Sequence, residues 1–307
     1  MQKLFFAMIL ISIASSQSSY NLFSDIGNSS VTNHIDLIDM EYARTPHIII
    51  SWQESNGYAQ YNRIYLLESD KNISGIYHGG LVNSTLSVGT AKINVSGIRD
   101  ALDEIIFLLD EVNASFGMPV RADGEGVARF NISGLAQGNY LLHLNNESQL
   151  LYTQPLIIAE EFSSKAPVMI SSGDTVKCMA GFKIKDIDKA YYYAAILMPV
   201  YDFENFRIYV NGNRDNETTN KTASITLSSG DASLNVPSRL EDFPLPDLFS
   251  IIPFNSAFAF QKATSSNVEL YLMTDENWPR GKYILTCAAY SPGIGIAGIE
   301  QRFIDID

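Results

Sequence analysis

The chain has 307 residues, 46% of them hydrophobic and 18% charged, with 34 acidic against 21 basic side chains and a formal net charge of −13. No basic run interleaved with aromatics occurs, so nucleic acid is excluded as an expected partner and anionic lipid surfaces are disfavoured; both require clustered Lys and Arg. An acidic exterior keeps a protein soluble and attracts cations, and a chain of this length buries more than one core.

Residues 1–17 carry one positive charge, Lys3, then the apolar run Leu4-Phe5-Phe6-Ala7-Met8-Ile9-Leu10-Ile11, then Ala14-Ser15-Ser16. That is the order of a secretory signal peptide. The run is too short to span a bilayer, which takes about twenty apolar residues. Arg302-Phe303-Ile304-Asp305-Ile306-Asp307 offers no anchor helix. The mature chain is therefore expected to be secreted and extracellular, associated with the cell surface through contacts and without a transmembrane anchor. Loss of Lys3 leaves 34 acidic and 20 basic residues, a balance of −14.

Residues 18–45 are polar and weakly patterned, which predicts an N-terminal arm or leader strand. Beyond them the apolar runs are short, rich in β-branched and aromatic types, and separated by Gly, Asn, Asp and Pro, the pattern of an all-β protein. Strands are predicted near 46–52, 62–68, 91–96, 104–110, 126–132, 139–144 and 150–158, with a tight turn at Asp123-Gly124-Glu125-Gly126. The polar stretch from Ala159 to Pro167 divides the chain into a domain over 46–160 and another over 161–307. In the second, strands are predicted near 167–171, 175–185, 189–199, 206–211, 222–228, 268–273 and 282–290. Each half has enough strands for one β-sandwich. Leu245, Leu248, Phe249 and Ile252 fall at helical spacing between Pro244 and Pro253. They predict a short inserted helix, either a plug on the second sandwich or a docking surface with Phe254, Phe258 and Phe260.

Nine Asn-x-Ser/Thr triplets, at Asn28, Asn72, Asn83, Asn94, Asn113, Asn131, Asn146, Asn216 and Asn220, are candidate N-glycosylation sites. Chance gives roughly three for this composition, and none of the nine has Pro in the middle. Alternation through Val127–Ile132 turns Asn131 away from Ala128, Phe130 and Ile132, and Asn94 faces away from Ile93 and Val95, as a glycan requires.

Cys178 and Cys287 are the two cysteines. Every even position from Val176 to Ile184 is apolar, which turns Cys178 toward a core, and Cys287 shares a face with Tyr283 and Leu285. A disulfide between them suits an oxidising compartment; the alternative is two buried free thiols. Two cysteines without nearby histidine fall short of a metal site.

Glu104–Glu111, then Gly117-Met118-Pro119-Val120, Ala122–Gly126, Phe130, Gly134-Leu135 and Gly138-Asn139-Tyr140, resembles the transthyretin-like and collagen-adhesin B-type sandwiches of surface proteins. That resemblance covers about fifty residues and implies a stalk, spacer or recognition module without a catalytic centre. Gly181–Pro199 and Gly281–Pro292 are similar to a family described as methanogen extracellular proteins, which implies an archaeal cell surface and transfers no site residues. Gly281-Lys282-Tyr283-Ile284-Leu285-Thr286-Cys287 also resembles an immunoglobulin strand. Here the Tyr stands four residues before the Cys rather than two, a departure from the immunoglobulin pattern that leaves a tyrosine corner in doubt.

No nucleophile elbow, zinc-protease helix motif, P-loop or calcium loop occurs. Gly293-Ile294-Gly295-Ile296-Ala297-Gly298 matches a dinucleotide fingerprint by letters but leaves no room for the following helix and strand, so a Gly-rich turn between terminal strands is expected. His34, His47, His78 and His143 share no ligand spacing, and alternation with Leu142 and Leu144 places His143 on a solvent side. Asp186/Asp188 and Asp305/Asp307 are paired acids able to hold a hard cation weakly or simply to be solvated.

The resulting expectation is an all-β protein of two tandem immunoglobulin-like or transthyretin-like sandwiches. It is non-catalytic, needs no cofactor or metal, and takes a structural or adhesive role among cell-envelope or surface-layer components. A carbohydrate- or peptide-binding module is the alternative, invited by Tyr191-Tyr192-Tyr193, whose aromatic faces could stack on sugars.

Overall fold

The computed structural model describes residues 34–38, 41–42, 47–52, 60–62, 65–68, 72–79, 82–93, 118–146, 149–183, 190–214, 221–229, 232–236 and 255–307. These residues are predominantly β. The first half contains β1 (His34–Ile38), β2 (Glu41–Tyr42), β3 (His47–Trp52), β4 (Gln60–Asn62), β5 (Tyr65–Glu68) and β6 (Ile73–His78). It continues with β7 (Thr85–Ile93), β8 (Met118–Arg121), β9 (Ala128–Ile132), β10 (Gly138–Asn146) and β11 (Gln149–Ala159). The second half opens with β12 (Phe162–Lys165), β13 (Met169–Ile170), β14 (Thr175–Phe182), β15 (Tyr191–Pro199) and the helix α1 (Val200–Asn205). Then follow β16 (Phe206–Arg214), β17 (Lys221–Ser229), β18 (Ala232–Val236), β19 (Ala257–Ala263), β20 (Asn267–Met273), β21 (Gly281–Ser291) and β22 (Gly295–Ile306).

Two cores form between facing sheets. In the first half the sheet β1-β6-β9 lies against β2-β5-β11-β10-β7-β8; Ile35, Ile73, Tyr77 and Phe130 meet Leu86, Tyr140, Leu142 and Leu156. In the second, β12-β14-β20 lies against β13-β22-β21-β15-β19, and Val176, Leu270 and Leu272 meet Tyr193, Leu197 and Leu285. The smaller sheets keep a wet outer face: β9 and β20 alternate buried and exposed without exception, which is the period of a strand with one covered side. Burying each such large apolar side chain stabilises by about 1.5–3 kcal/mol.

Apart from β2, which adds a strand beside β5, the strand order is the same in both halves. β1, β6 and β9 occupy the places of β12, β14 and β20, while β5-β11-β10-β7-β8 matches β13-β22-β21-β15-β19. The likeness extends to direction, since β5 runs parallel to β11 and β13 parallel to β22. Each half also carries an insertion. β3 and β4 precede β5, the segment α1 to β18 separates β15 from β19, and the two insertions meet in a fifth sheet ordered β18-β17-β16-β3-β4.

Several elements depart from the pattern read in the sequence. Of the arm or leader strand expected over 18–45, β1 is a strand built into the first core, with Ile35 3% exposed and opposite Tyr77. β6 escapes the apolar pattern because Gly75 stands at an inward position; a Cβ there would lie 2.3 Å from the Phe130 ring. β12 runs within the polar stretch expected to be the joint, so the connection from β11 shrinks to Glu160 and Glu161. Part of the expected strand 91–96, all of 104–110, and the helix between Pro244 and Pro253 lie outside the described residues.

Candidate functional site

The cysteines meet in the second core. β14 alternates exposed and buried positions, turning Cys178 inward, and β21 sets Cys287 opposite Ala195 of β15. Both are fully buried free thiols, one on each facing sheet, with their Sγ atoms 3.1 Å apart. The hydrogen bond with Cys178, reinforced by burial, pushes the Cys287 thiol well above its ordinary value.

Beside the pair, β12 is the end strand of its sheet. The Ser164 N–H donates to the Glu300 carboxylate, and the Arg302 guanidinium donates to the Ser164 carbonyl. Arg302 and Glu300 also pair at 3.1 Å. Two charged side chains of β22 thus occupy the backbone groups of an edge strand that would otherwise be open to another chain. Neither residue carries a recognisable sequence signal.

Four sequons lie among the described residues. Asn72, Asn83 and Asn131 are exposed, and Asn146 at the end of β10 is half-buried. Asn131 stands opposite Ser74 of β6, and Asn72 is two residues from Ser74, so both project from one end of the same strand pair. Asn83 sits in the turn between β6 and β7 at φ 58°, a conformation Asn tolerates better than most residues; its N–H donates to the Asp123 carbonyl at 3.2 Å. Asn28, Asn94, Asn113, Asn216 and Asn220 lie outside the described residues.

The expected solvent position of His143 is corrected. It is 3% exposed, opposite Gly89 of β7, where a Cβ would come within 2.5 Å of its Nε2. Alternation fails here because both faces of β10 are covered: Leu141, His143 and Asn145 are buried along with Leu142 and Leu144. Burial lowers the His143 pKa below its ordinary value of 6.5, opposed by a backbone hydrogen bond involving Leu141. His78, by contrast, is half-exposed and lies 3.2 Å from Asp36.

The tyrosine triplet is buried as a whole. Tyr191, Tyr192 and Tyr193 are all buried, so none offers a face to a sugar. Tyr192 stacks on Phe260 at 5.9 Å. Tyr193 donates to the Ser265 carbonyl at 2.7 Å, and burial pushes its hydroxyl up to about 12.

A tyrosine corner is present despite the unfamiliar cysteine spacing. Tyr283 donates to the Pro279 carbonyl at 3.0 Å and stacks on Trp278 with ring centroids 5.4 Å apart. In the first half Tyr140 donates to the Ala136 carbonyl at 2.8 Å. Gly138-Asn139-Tyr140 and Gly281-Lys282-Tyr283 are the repeated signal that would have revealed both.

The Gly-rich segment is a turn from β21 followed by the start of β22. Gly293 and Gly295 adopt φ of 83° and 87°, and Gly298 leaves room for Phe162, whose Cβ would be 2.7 Å from a side chain there. Asp123 accepts hydrogen bonds from the N–H groups of Glu125 and Val127, both at 2.9 Å, closing the predicted tight turn.

At one end of the second half an open cleft of about 420 Å³ is lined by Ser171, Ser172, Glu276, Trp278, Arg280 and Asp307. Asp305 lies beside it on β22; Asp186 and Asp188 are outside the described residues. Among the described residues no group of three or more His, Cys, Asp or Glu side chains could hold a metal ion, and no helix is long and apolar enough to cross a membrane. No protein-family model matches the chain, and no curated protein matches it.

Proposed function

We propose that the chain is an exported, N-glycosylated, non-catalytic protein of a cell envelope, with a structural or adhesive role among envelope or surface-layer components. The placement of Asn72, Asn83 and Asn131 carries the reading. All three are solvent-exposed, as a glycan acceptor has to be. The export signal in residues 1–17 supplies the route to the glycosylating compartment.

The fold within this reading is a tandem of two immunoglobulin-like or transthyretin-like sandwiches. The repeated strand order and the paired contacts of Tyr140 and Tyr283 support it. Cys178 and Cys287, on facing sheets, become a disulfide in the oxidising compartment. Each thiol gives up one hydrogen, and an exchanging disulfide oxidoreductase is reduced to its dithiol.

Fractionation of native cells followed by mass spectrometry of glycopeptides tests the proposal. The expected result is glycan on Asn72, Asn83 and Asn131 in chains that stay with washed envelopes. Unmodified peptides from a cytoplasmic fraction would overturn it, as would turnover of an envelope polymer by the purified protein.

The cleft lined by Trp278, Arg280, Glu276 and Asp307 favours a second reading, an extracellular module for a small polar ligand such as a saccharide. Calorimetric titration with envelope saccharides, wild type against Arg280→Ala, separates the two. Binding lost in the variant supports the module, and no heat in either protein removes it.

A further inference from the structure

We propose that β3 and β4 of the first half act as a strand clamp on the second half, so that the two halves move and unfold as one body. Domains in tandem normally shift against one another unless their interface is extensive, and three features of this chain oppose such movement.

The first is a shared sheet. β3 pairs parallel with β16 from Arg207↔His47 to Gly212↔Trp52, and antiparallel with β4 from Ile48↔Asn62 to Ile50↔Gln60. β3 is therefore held on both sides, by β4 of its own half and by β16, which continues through β17 and β18 of the second half. Separating the halves breaks that ladder and exposes its backbone groups.

The second is the connection itself. Two residues join β11 to β12, and both are tied down. The Glu160 N–H donates to the Ala297 carbonyl at 2.9 Å, and the Glu161 carbonyl accepts from the Lys183 N–H at 3.1 Å. Lys183 also forms an ion pair with the Glu161 carboxylate.

The third lies between the start of β10, with Gln137 just before it, and the turn and first residues of β22. Asn139 Nδ2 donates to the Ile294 carbonyl at 2.8 Å and Gln137 Nε2 to the Ala297 carbonyl at 3.3 Å. The Ala297 carbonyl thus accepts two bonds from the first half, one for each lone pair. Ile157, Ala159, Ile296 and Ile299 around this contact are all at most 3% exposed.

The test is a full-length chain with a protease-cleavable sequence inserted between Glu160 and Glu161. After cleavage the two fragments should elute together from a sizing column and unfold in one transition. Adding Ile49→Pro, which removes one backbone donor from a strand paired on both sides, should let them separate. Fragments that part without that substitution, or stay together with it, overturn the clamp. Because the insertion could itself disturb folding, hydrogen exchange on the unaltered chain gives a second readout. Amides of residues 47–52 and 207–212 should be protected to within about tenfold of those in β10 and β21, as members of one cooperative unit are. Exchange of those two strands through a separate, easier opening overturns it equally.

Discussion

Tyr140 and Tyr283 make the same contact in the two halves, each donating its hydroxyl to the carbonyl four residues upstream, Ala136 at 2.8 Å and Pro279 at 3.0 Å. Each sits two residues after a glycine at the start of a strand that pairs with the strand following it. The hydroxyl ties the incoming loop to the strand. Tyr140→Phe and Tyr283→Phe should each lower stability by about 1 kcal/mol, the usual net worth of one hydrogen bond. Denaturant midpoints should fall with unchanged slopes, and a variant indistinguishable from wild type would show that the contact is idle.

Cys178 and Cys287 close a loop spanning 109 positions when oxidised. In the chain-entropy model such a bridge adds about 5 kcal/mol (about 4.7 for a loop of roughly 100 residues), with measured cases reaching down to near zero. Protein isolated from the oxidising side should be two hydrogens lighter than the dithiol by intact mass, and its unfolding midpoint should drop on reduction. A Cys178→Ala/Cys287→Ala protein should match the reduced form.

His143 and Tyr193 predict opposite limits of pH stability. Burial lowers the His143 pKa below 6.5, so the unfolded chain takes up its proton first and stability falls as pH drops below about 6.5 toward the folded value. Tyr193, pushed up from 10.0 to about 12, ionises first in the unfolded chain, so stability falls as pH rises from about 10 to about 12. Urea midpoints across both windows check this. His143→Gln should flatten the acid limb and Tyr193→Phe the alkaline one.

Glu300 and Arg302 hold the backbone of Ser164 at a sheet edge. Glu300→Gln or Arg302→Met leaves a partly buried charge or backbone group without its partner, and each should cost about 2 kcal/mol. A double variant that loses no more than either single one would show that the two act as a unit.

Strands with one wet face were legible in the sequence. Val127–Ile132 alternates because the outer side of β9 is wet, and the same holds around Cys178 on β14, where Thr175, Lys177 and Met179 stay exposed. On β10 His143 was misread in facing because that strand is covered on both sides, and on β15 all of Tyr191–Tyr193 are buried for the same reason; a strand with no polar side has no contrast for periodicity to register. β6 and the start of β22 were obscured by Gly75, Gly295 and Gly298. At Gly75 and Gly298 the glycine is required by an aromatic ring, Phe130 or Phe162, that only the folded chain brings near.

The sequence by itself determined the all-β character, the inward facing of Cys178 and Cys287, the outward facing of Asn131 and the tight turn at Asp123. Each is a local matter, settled by neighbours along one strand or turn. Only the tertiary structure decided that the two cysteines are in contact, that Tyr140 and Tyr283 are counterparts, and that β3 of the first half pairs with β16 of the second. Strand pairing runs through N–H and C=O groups that are the same in nearly every residue, so the sequence marks which segments can pair and the packing of whole sheets selects which do.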